Sequence, residues 1–518
     1  MFSVNDKTIF FLIAIILLAL FLRIPGVFWG QNIFGQNYTL NPDEITHITI
    51  AKQFAYYSVP SASSHVRGFG NQLGFFLLFF KELDDFQISL IGRIISVFYG
   101  ISTVLLIYFF SLEFFNDRRI ALLSSLFLAL TPIHTKFSHF ALADVSNVFW
   151  ICLSLFLFLI FARKKNMLYF LLAVFCAGAA FASKTTVITL IPVIYFIFKS
   201  TKKAELSVYG ICGFCFGFLL FNSPLFLLQQ LNINLLRVSN DVFFQASHFN
   251  QLLSPILTYN NFITGVGIPL FILSIIGFIL LFKAYLKNKK MMIFNEKFII
   301  VIIPLMAYFL SMLLFVIPFE RYVLPLIPFF IMLSAMGFIS IKNKFNLNKK
   351  TVILVLLVIC SYQVTLVTFN EMRFIHDARE EAGEWMTNNI PKDSFIEIRP
   401  YTIIPPAFKY AVDPFYQKDK YQELSKMEFK EKYLVITKGY YGRFIFKDYL
   451  HSKELPDCKD FYNLKWGRDC KFIQELFKGE TDYIKIKEFK YKHLMLERYL
   501  TLFNTSKEPD VIIFKKPI

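Results

Sequence analysis

Long apolar runs separated by short charged tracts fill the first 370 residues or so of the chain, and then the pattern stops. The first run, Thr8 to Trp29, is long enough to cross a hydrocarbon layer of about 30 Å, and it reads as a retained span instead of a cleaved signal. Runs of this kind predict about eleven spans, near 8–29, 89–112, 120–137, 145–162, 167–183, 185–198, 206–224, 262–283, 298–318, 322–341 and 351–369. The third, fifth and sixth are short, so one of them is expected to be re-entrant or broken.

After Asn370 charged residues mix with short strand-like runs, such as Tyr433 to Thr437 and Val511 to Phe514, and with helical stretches such as Ala378 to Asn388. About 150 residues suffice to bury a separate core, so a compact α/β domain is predicted there. The expected organisation is a transmembrane domain over 1–369, with juxtamembrane helices in a first outer loop at 30–88, and an extracytoplasmic α/β domain over 370–518.

Composition agrees: 56% of the 518 residues are hydrophobic and only 18% are charged, which excludes an ordinary soluble chain. The net charge of +17 is that of a nucleic-acid binder, yet the excess sits in tracts between spans: Arg118-Arg119, Arg163 to Lys165, Lys199 with Lys202-Lys203, Lys283 to Lys297 and Lys342 to Lys350. Positive-inside sorting explains those tracts, and with an odd number of spans all of them face the cytoplasm. No nucleic-acid partner is expected. The opposite side then receives the first loop, a loop at 225–261 and the whole tail. Five cysteines lie in apolar runs; Cys458 and Cys470 lie in the tail, where they are either a disulfide or two free thiols.

Asn41-Pro42-Asp43-Glu44 opens a helix-like run in the first outer loop. Asn41 suits an N-cap, Pro42 the first helical position and Glu44 the partner of a capping box. That structural reading accounts for Glu44 and only incidentally for Asp43, which leaves a functional reading open. At a helix start, which stabilises negative charge, Asp43 is suited to act as a general base on an acceptor hydroxyl. Asp144, at the outer end of the fourth predicted span, either caps its helix or joins Asp43 in a polar site at one interface. Cations on the outer side run against the sorting rule: Arg67, Arg93, Lys184 and Arg321, with His248 in the later loop. Snorkelling accounts for Lys184 or Arg93 singly, and a local pair with Glu320 for Arg321. As a set they are what a lipid-linked phosphate requires. The chain has no Walker-type loop, HExxH, paired CxxC or serine nucleophile elbow, and no cytoplasmic loop long enough to fold a nucleotide-consuming domain. An activated substrate is therefore expected to arrive through the membrane.

These residues resemble the GT-C superfamily of polyprenyl-phosphate-sugar-dependent glycosyltransferases, most closely the protein O-mannosyltransferase and aminoarabinose–lipid A transferase branch. The resemblance is carried by Pro42-Asp43-Glu44, Arg93 to Gly100, Ala121 to Pro132 leading to Asp144, Ala182-Ser183-Lys184, Arg321 to Pro328 and Asp377 to Trp385. It implies a GT-C-like helical membrane fold and inverting transfer of a sugar to a lipid, glycan or protein acceptor outside the cytoplasm, in the plasma (inner) membrane. It further implies Asp43 as the catalytic acid with Glu44 beside it, and Asp144 as the second acidic position. Arg67, Arg93, Lys184, His248 and Arg321 fall where donor-phosphate ligands are expected, and His248 resembles a loop histidine that helps bind metal or phosphate in some members. The acidic-Lys-Pro-Pro segment common in the branch is replaced by Arg67 to Gln72, which leaves a divalent metal open and lets Arg67 supply the charge. The Trp-Trp-Asp signature of oligosaccharyltransferases is missing, which speaks against transfer of a whole glycan. Two other readings remain: a secondary transporter or lipid flippase, and a membrane-anchored assembly protein whose tail recruits partners.

Overall fold

The computed structural model describes residues 6–56, 67–80, 83–184, 188–200, 203–222, 262–287, 296–312 and 320–375, and then 377–392, 394–399, 402–403, 405–411, 432–438, 440–441, 458, 464–490 and 510–517. It divides into two units, 1–28 with 43–371, and 29–42 with 372–518. The short segment 29–42, expected within the membrane part, thus belongs to the unit that holds the tail.

The first unit is helical: α1 Asp6–Phe21, α2 Pro42–Ala55, α3 Gly68–Leu77, α4 Asp85–Phe115, α5 Arg118–Ala129, α6 Pro132–Phe137, α7 Ala143–Lys164, α8 Met167–Ser183, α9 Leu190–Lys199, α10 Lys203–Phe221, α11 Ile268–Lys287, α12 Ile303–Met312, α13 Ile327–Lys344 and α14 Lys349–Ile375. A 3-10 turn, Glu320–Leu326, leads into α13. Among the described residues seven helices are long and apolar enough to cross a membrane, and three apolar helices are shorter. The chain is a multi-pass membrane protein. The run read as 120–137 is two helices, because Pro132 cannot continue α5 and instead starts α6.

Close backbone approach holds neighbouring helices together. A Cβ on Gly217 would stand 2.0 Å from the Phe175 carbonyl oxygen, and one on Gly277 2.0 Å from that of Leu333. Glycine therefore lets α8 meet α10 and α11 meet α13, the packing that works where lipid tails remove the hydrophobic drive. Outward faces carry large apolar side chains such as Phe10 and Phe98, 69% and 65% exposed in the bare protein.

Polar pins cross the bundle. Arg23, fully buried, donates to the carbonyls of Ala19 and Ala129 and lies 3.0 Å from His134 Nδ1. His139 Nδ1 is 3.5 Å from the Glu371 carboxylate, so the end of α1, the α6 region and the end of α14 meet around one buried polar set. At the other end of the bundle Arg163 pairs with Glu113 at 3.1 Å, and Lys199 and Lys165 share Glu296. Asp117, between α4 and α5, is held below the usual carboxylate range by the Arg119 guanidinium.

The second unit carries a five-stranded mixed sheet with strand order β2-β1-β3-β5-β4, made of β1 Phe395–Ile398, β2 Lys409–Ala411, β3 Tyr433–Thr437, β4 Ile484–Phe489 and β5 Val511–Lys515. β1 runs parallel to β2 and β3, whereas β5 is antiparallel to β3 and β4. α15, Ala378–Asn389, packs Ala382 and Met386 on one face through Val435 and Ile513. α16, Leu464–Lys478, packs Ile473 and Leu476 on the other through Leu434 and Ile512. The alternation of β3 and β5 thus feeds two apolar layers. Cys458 and Cys470 form a disulfide, Cα–Cα 5.5 Å. Asp377 caps α15 and pairs with Arg379 at 2.5 Å; Trp29 Nε1 donates to the same carboxylate, and Arg379 Nη1 to the Leu40 carbonyl. These bonds are why 29–42 travels with the tail.

Candidate functional site

The first turn of α2 presents two consecutive carboxylates in opposite senses. Successive side chains on a helix diverge by roughly 100°, so one can be buried while the next faces out. Glu44 goes inward. Arg93 donates to it through Nε (2.9 Å) and Nη2 (2.8 Å), and the Ala141 N–H donates at 2.8 Å. Neither Glu44 nor Arg93 has exposed side-chain surface. Arg93 Nη1 also reaches the Val27 carbonyl at 3.0 Å. The carboxylate expected to close a capping box binds α4 and the turn before α7 instead. The expectation that Arg93 faces a phosphate, and that Glu44 takes part in chemistry, meets a pair with no opening to substrate.

Apolar contacts fix α2 in this pose. Ile48 and Ala51 pack with Phe69, Leu73 and Leu77 along α3, and with Ile88 and Ile95 along α4.

Asp43 points the other way, its side chain half exposed, and Arg321 Nη1 donates to its Oδ2 at 2.6 Å. Arg321 lies in the 3-10 turn before α13. The local Glu320–Arg321 pair offered as an alternative does not form, since Glu320 accepts from Lys136 of α6 at 2.7 Å. Two neighbouring charges of one turn therefore tie it to two different helices. Tyr322 follows, its carbonyl accepting from the Tyr308 hydroxyl at 2.9 Å.

Asp144 and Lys184 form a second pair at 2.6 Å, with the acid buried and the ammonium partly exposed. Asn147, one turn along α7, donates to the carbonyls of Ala180 and Lys184, so α7 holds the end of α8 by backbone and by charge. The Lys184 ammonium also stands 4.9 Å from the centre of the Tyr322 ring. Asp144 also lies in the field of the Arg321 guanidinium. Asp43, Arg321, Tyr322, Asp144 and Lys184 are thus one continuous cluster.

Arg67 precedes α3 and is buried; burial pulls its guanidinium below the ordinary arginine range. A Cβ on the adjacent Gly68 would lie 2.3 Å from the Ala182 carbonyl oxygen, which brings the start of α3 against the residues just before Lys184. His248 lies outside the described residues. Among the described residues no three His, Cys, Asp or Glu side chains stand together as a metal site.

Sequence reading missed Lys136, Tyr322 and His47. Lys136 had a signal, being a cation at the outer end of a predicted span. His47 stands four residues after Asp43, one helical turn away, and its ring meets Phe69 edge-on at 5.4 Å. Nothing in the local sequence marks Tyr322.

The family model for dolichyl-phosphate-mannose-protein mannosyltransferase matches residues 73–226, a stretch that includes Arg93, Asp144 and Lys184. No curated protein matches the chain in sequence. Its fold is similar to that of the Archaeoglobus fulgidus oligosaccharyltransferase in the apo form: 14% identity, TM-score 0.55, 98% of this chain and 88% of that one. The oligosaccharyltransferase AglB from Archaeoglobus fulgidus, in complex with an inhibitory peptide and a dolichol-phosphate, matches with 13% identity and TM-score 0.53 over 99% of this chain and 88% of that one. ArnT from Cupriavidus metallidurans in the apo state matches with 12% identity and TM-score 0.51 over 84% and 93%. The chain therefore has the GT-C-like fold of these enzymes, and the mannosyltransferase family model supports the resemblance in sequence over 73–226.

Proposed function

We propose that this chain is a membrane glycosyltransferase that moves a sugar, with inversion, from a polyprenyl phosphate to an acceptor hydroxyl on the extracytoplasmic face of the plasma membrane. The observation that carries the reading is a half-exposed carboxylate, Asp43, set against Arg321 at 2.6 Å beside the Asp144–Lys184 pair. The family match over 73–226 and the dolichol-phosphate in one structural neighbour support a lipid-linked donor. The peptide in that neighbour makes a peptide hydroxyl one acceptor to test, alongside lipids and glycans.

Asp43 takes the proton of the acceptor hydroxyl as its oxygen attacks the anomeric carbon. The bond from that carbon to the phosphate oxygen breaks with its electron pair, so a singly charged diester becomes a monoester that gains a second charge. Arg321 and Lys184 meet the growing charge, and such contacts strengthen towards the transition state. On this reading Arg67, which precedes α3, adds to that field. Asp144 positions Lys184, and the Glu44–Arg93 pair holds the helix that presents Asp43. His248 and a divalent ion are assigned no step. The end of the bundle rich in Arg163, Lys165 and Lys199 faces the cytoplasm on this reading.

Mass spectrometry of cell-envelope lipids, glycans and proteins from a deletion strain tests it. The expected result is an accumulated polyprenyl-phosphate sugar and a product lighter by one sugar. Unchanged lipids and glycans, or reconstituted vesicles that move a lipid without forming a covalent product, would overturn it.

A further inference from the structure

We propose that Asp43 and the donor phosphate compete for the same arm of Arg321, so that binding of the donor is what releases the base. The inference rests on the glycosyltransferase reading and adds an order to it. Arg321 Nη1 donates to Asp43 Oδ2 at 2.6 Å, and a phosphate oxygen bound by Arg321 needs the same kind of short, charge-assisted contact.

The charges of the cluster explain why one pair has to open. Asp43, Asp144, Lys184 and Arg321 sum to zero, so with both pairs closed each of these two cations is already neutralised by an acid. Freeing one of them gives the phosphate a full charge to meet. Asp144 is 7% exposed and sits on α7, whose Asn147 also grips the Lys184 backbone, so separating that pair would strand a buried carboxylate. Asp43 is 50% exposed on the first turn of α2 and can turn into water once Arg321 leaves it. An exposed pair is the cheaper of the two to open.

The order follows. Before the donor binds, Oδ2 of Asp43 accepts from Arg321; once that bond is broken, the oxygen can accept from the acceptor hydroxyl in its place. When transfer is complete the proton on Asp43 passes to solvent, and the ionised carboxylate reclaims Arg321 as the lipid phosphate leaves. One ion pair then serves both to delay the base until donor is present and to help discharge the product.

A double-mutant cycle on the full-length protein in detergent, with undecaprenyl phosphate as the probe, tests the competition. Asp43→Asn is expected to bind the probe roughly five- to tenfold more tightly than the parent, a coupling of ordinary size. Arg321→Met is expected to bind it more weakly, and the gain from Asp43→Asn should vanish in the Arg321→Met background. Glu320→Gln, which removes a neighbouring negative charge held by Lys136, should give a smaller gain. Should Arg321→Met weaken binding while Asp43→Asn brings no gain, the competition fails and the site reading stands. A gain that persists without Arg321 overturns the competition as a general charge effect. Undiminished binding by Arg321→Met would remove both the competition and the assigned phosphate ligand.

Discussion

Arg93 and Glu44 hold each other through two hydrogen bonds, of 2.9 and 2.8 Å, with no exposed surface on either side chain. Their neighbour Asp43 is half exposed. Adjacent acids should therefore give opposite phenotypes. Removing one partner of a buried pair strands the other, at about 3–5 kcal/mol, so Glu44→Ala and Arg93→Met should melt at clearly lower temperatures in detergent. Asp43→Asn should melt like the parent and lose at least ~100-fold in transfer, the contribution expected of a general base. Melting curves and transfer rates measured on the same preparations check both halves. A stable Glu44→Ala protein would show that the buried pair is not what holds α2.

Arg321 and Lys184, the two cations proposed to meet the phosphate, should fail in the rate more than in binding of the acceptor. Arg321→Met and Lys184→Met are each expected to lower kcat by about 10²–10³-fold, as when one donor to a developing anion is removed. Arg321→Lys should recover only part of this, because an ammonium cannot reproduce the planar guanidinium fork that reaches Asp43. Steady-state kinetics at saturating acceptor separate the cases. If only KM for the donor rises, these cations bind ground state and transition state equally and have been given too large a role.

The helices were largely legible because an apolar run of 17 or more residues has few other uses; the starts of α4, α7, α11 and α14 fall within six residues of the expected positions. Pro132 marks the break in the third run, yet hydropathy alone reads straight through it. The pairings were not legible. Arg321 and Asp43 stand 278 residues apart, and Glu320, the nearer acid, is taken by Lys136. Which of Asp43 and Glu44 faces outward depends on how α2 is rotated by Ile48 and Ala51, and that is decided by α3 and α4. The segment 29–42 was assigned by chain order, whereas Trp29, Phe34 and Leu40 contact Asp377, Gly383 and Arg379.

Those contacts carry their own expectation. Asp377 caps α15, pairs with Arg379 and accepts from Trp29, with only 3% and 4% exposure for the two charged side chains. Asp377→Ala should destabilise the second unit by about 3–5 kcal/mol through the stranded guanidinium. Limited proteolysis of the intact protein reads this as faster cleavage at sites after residue 372 than at sites in 85–164. Equal cleavage of parent and variant would mean the pair contributes little.

The disulfide between Cys458 and Cys470 links the fold to the sidedness on which the chemistry depends. Disulfides persist in oxidising compartments and are reduced in the cytosol. Protein extracted without reductant and denatured in a thiol-reactive label should therefore show five reactive cysteines, Cys152, Cys176, Cys212, Cys215 and Cys360, and seven after reduction. The bridge closes a loop of 12 residues, so its loss in Cys458→Ser should cost roughly 3 kcal/mol in the entropic account. Seven labelled thiols without reductant, together with cytosolic signals from reporters fused after Leu40 and Glu371, would put the tail and the first loop on the reducing side. Asp43 would then face a compartment where the proposed lipid-linked donor is not presented, and the transfer mechanism would have no substrate.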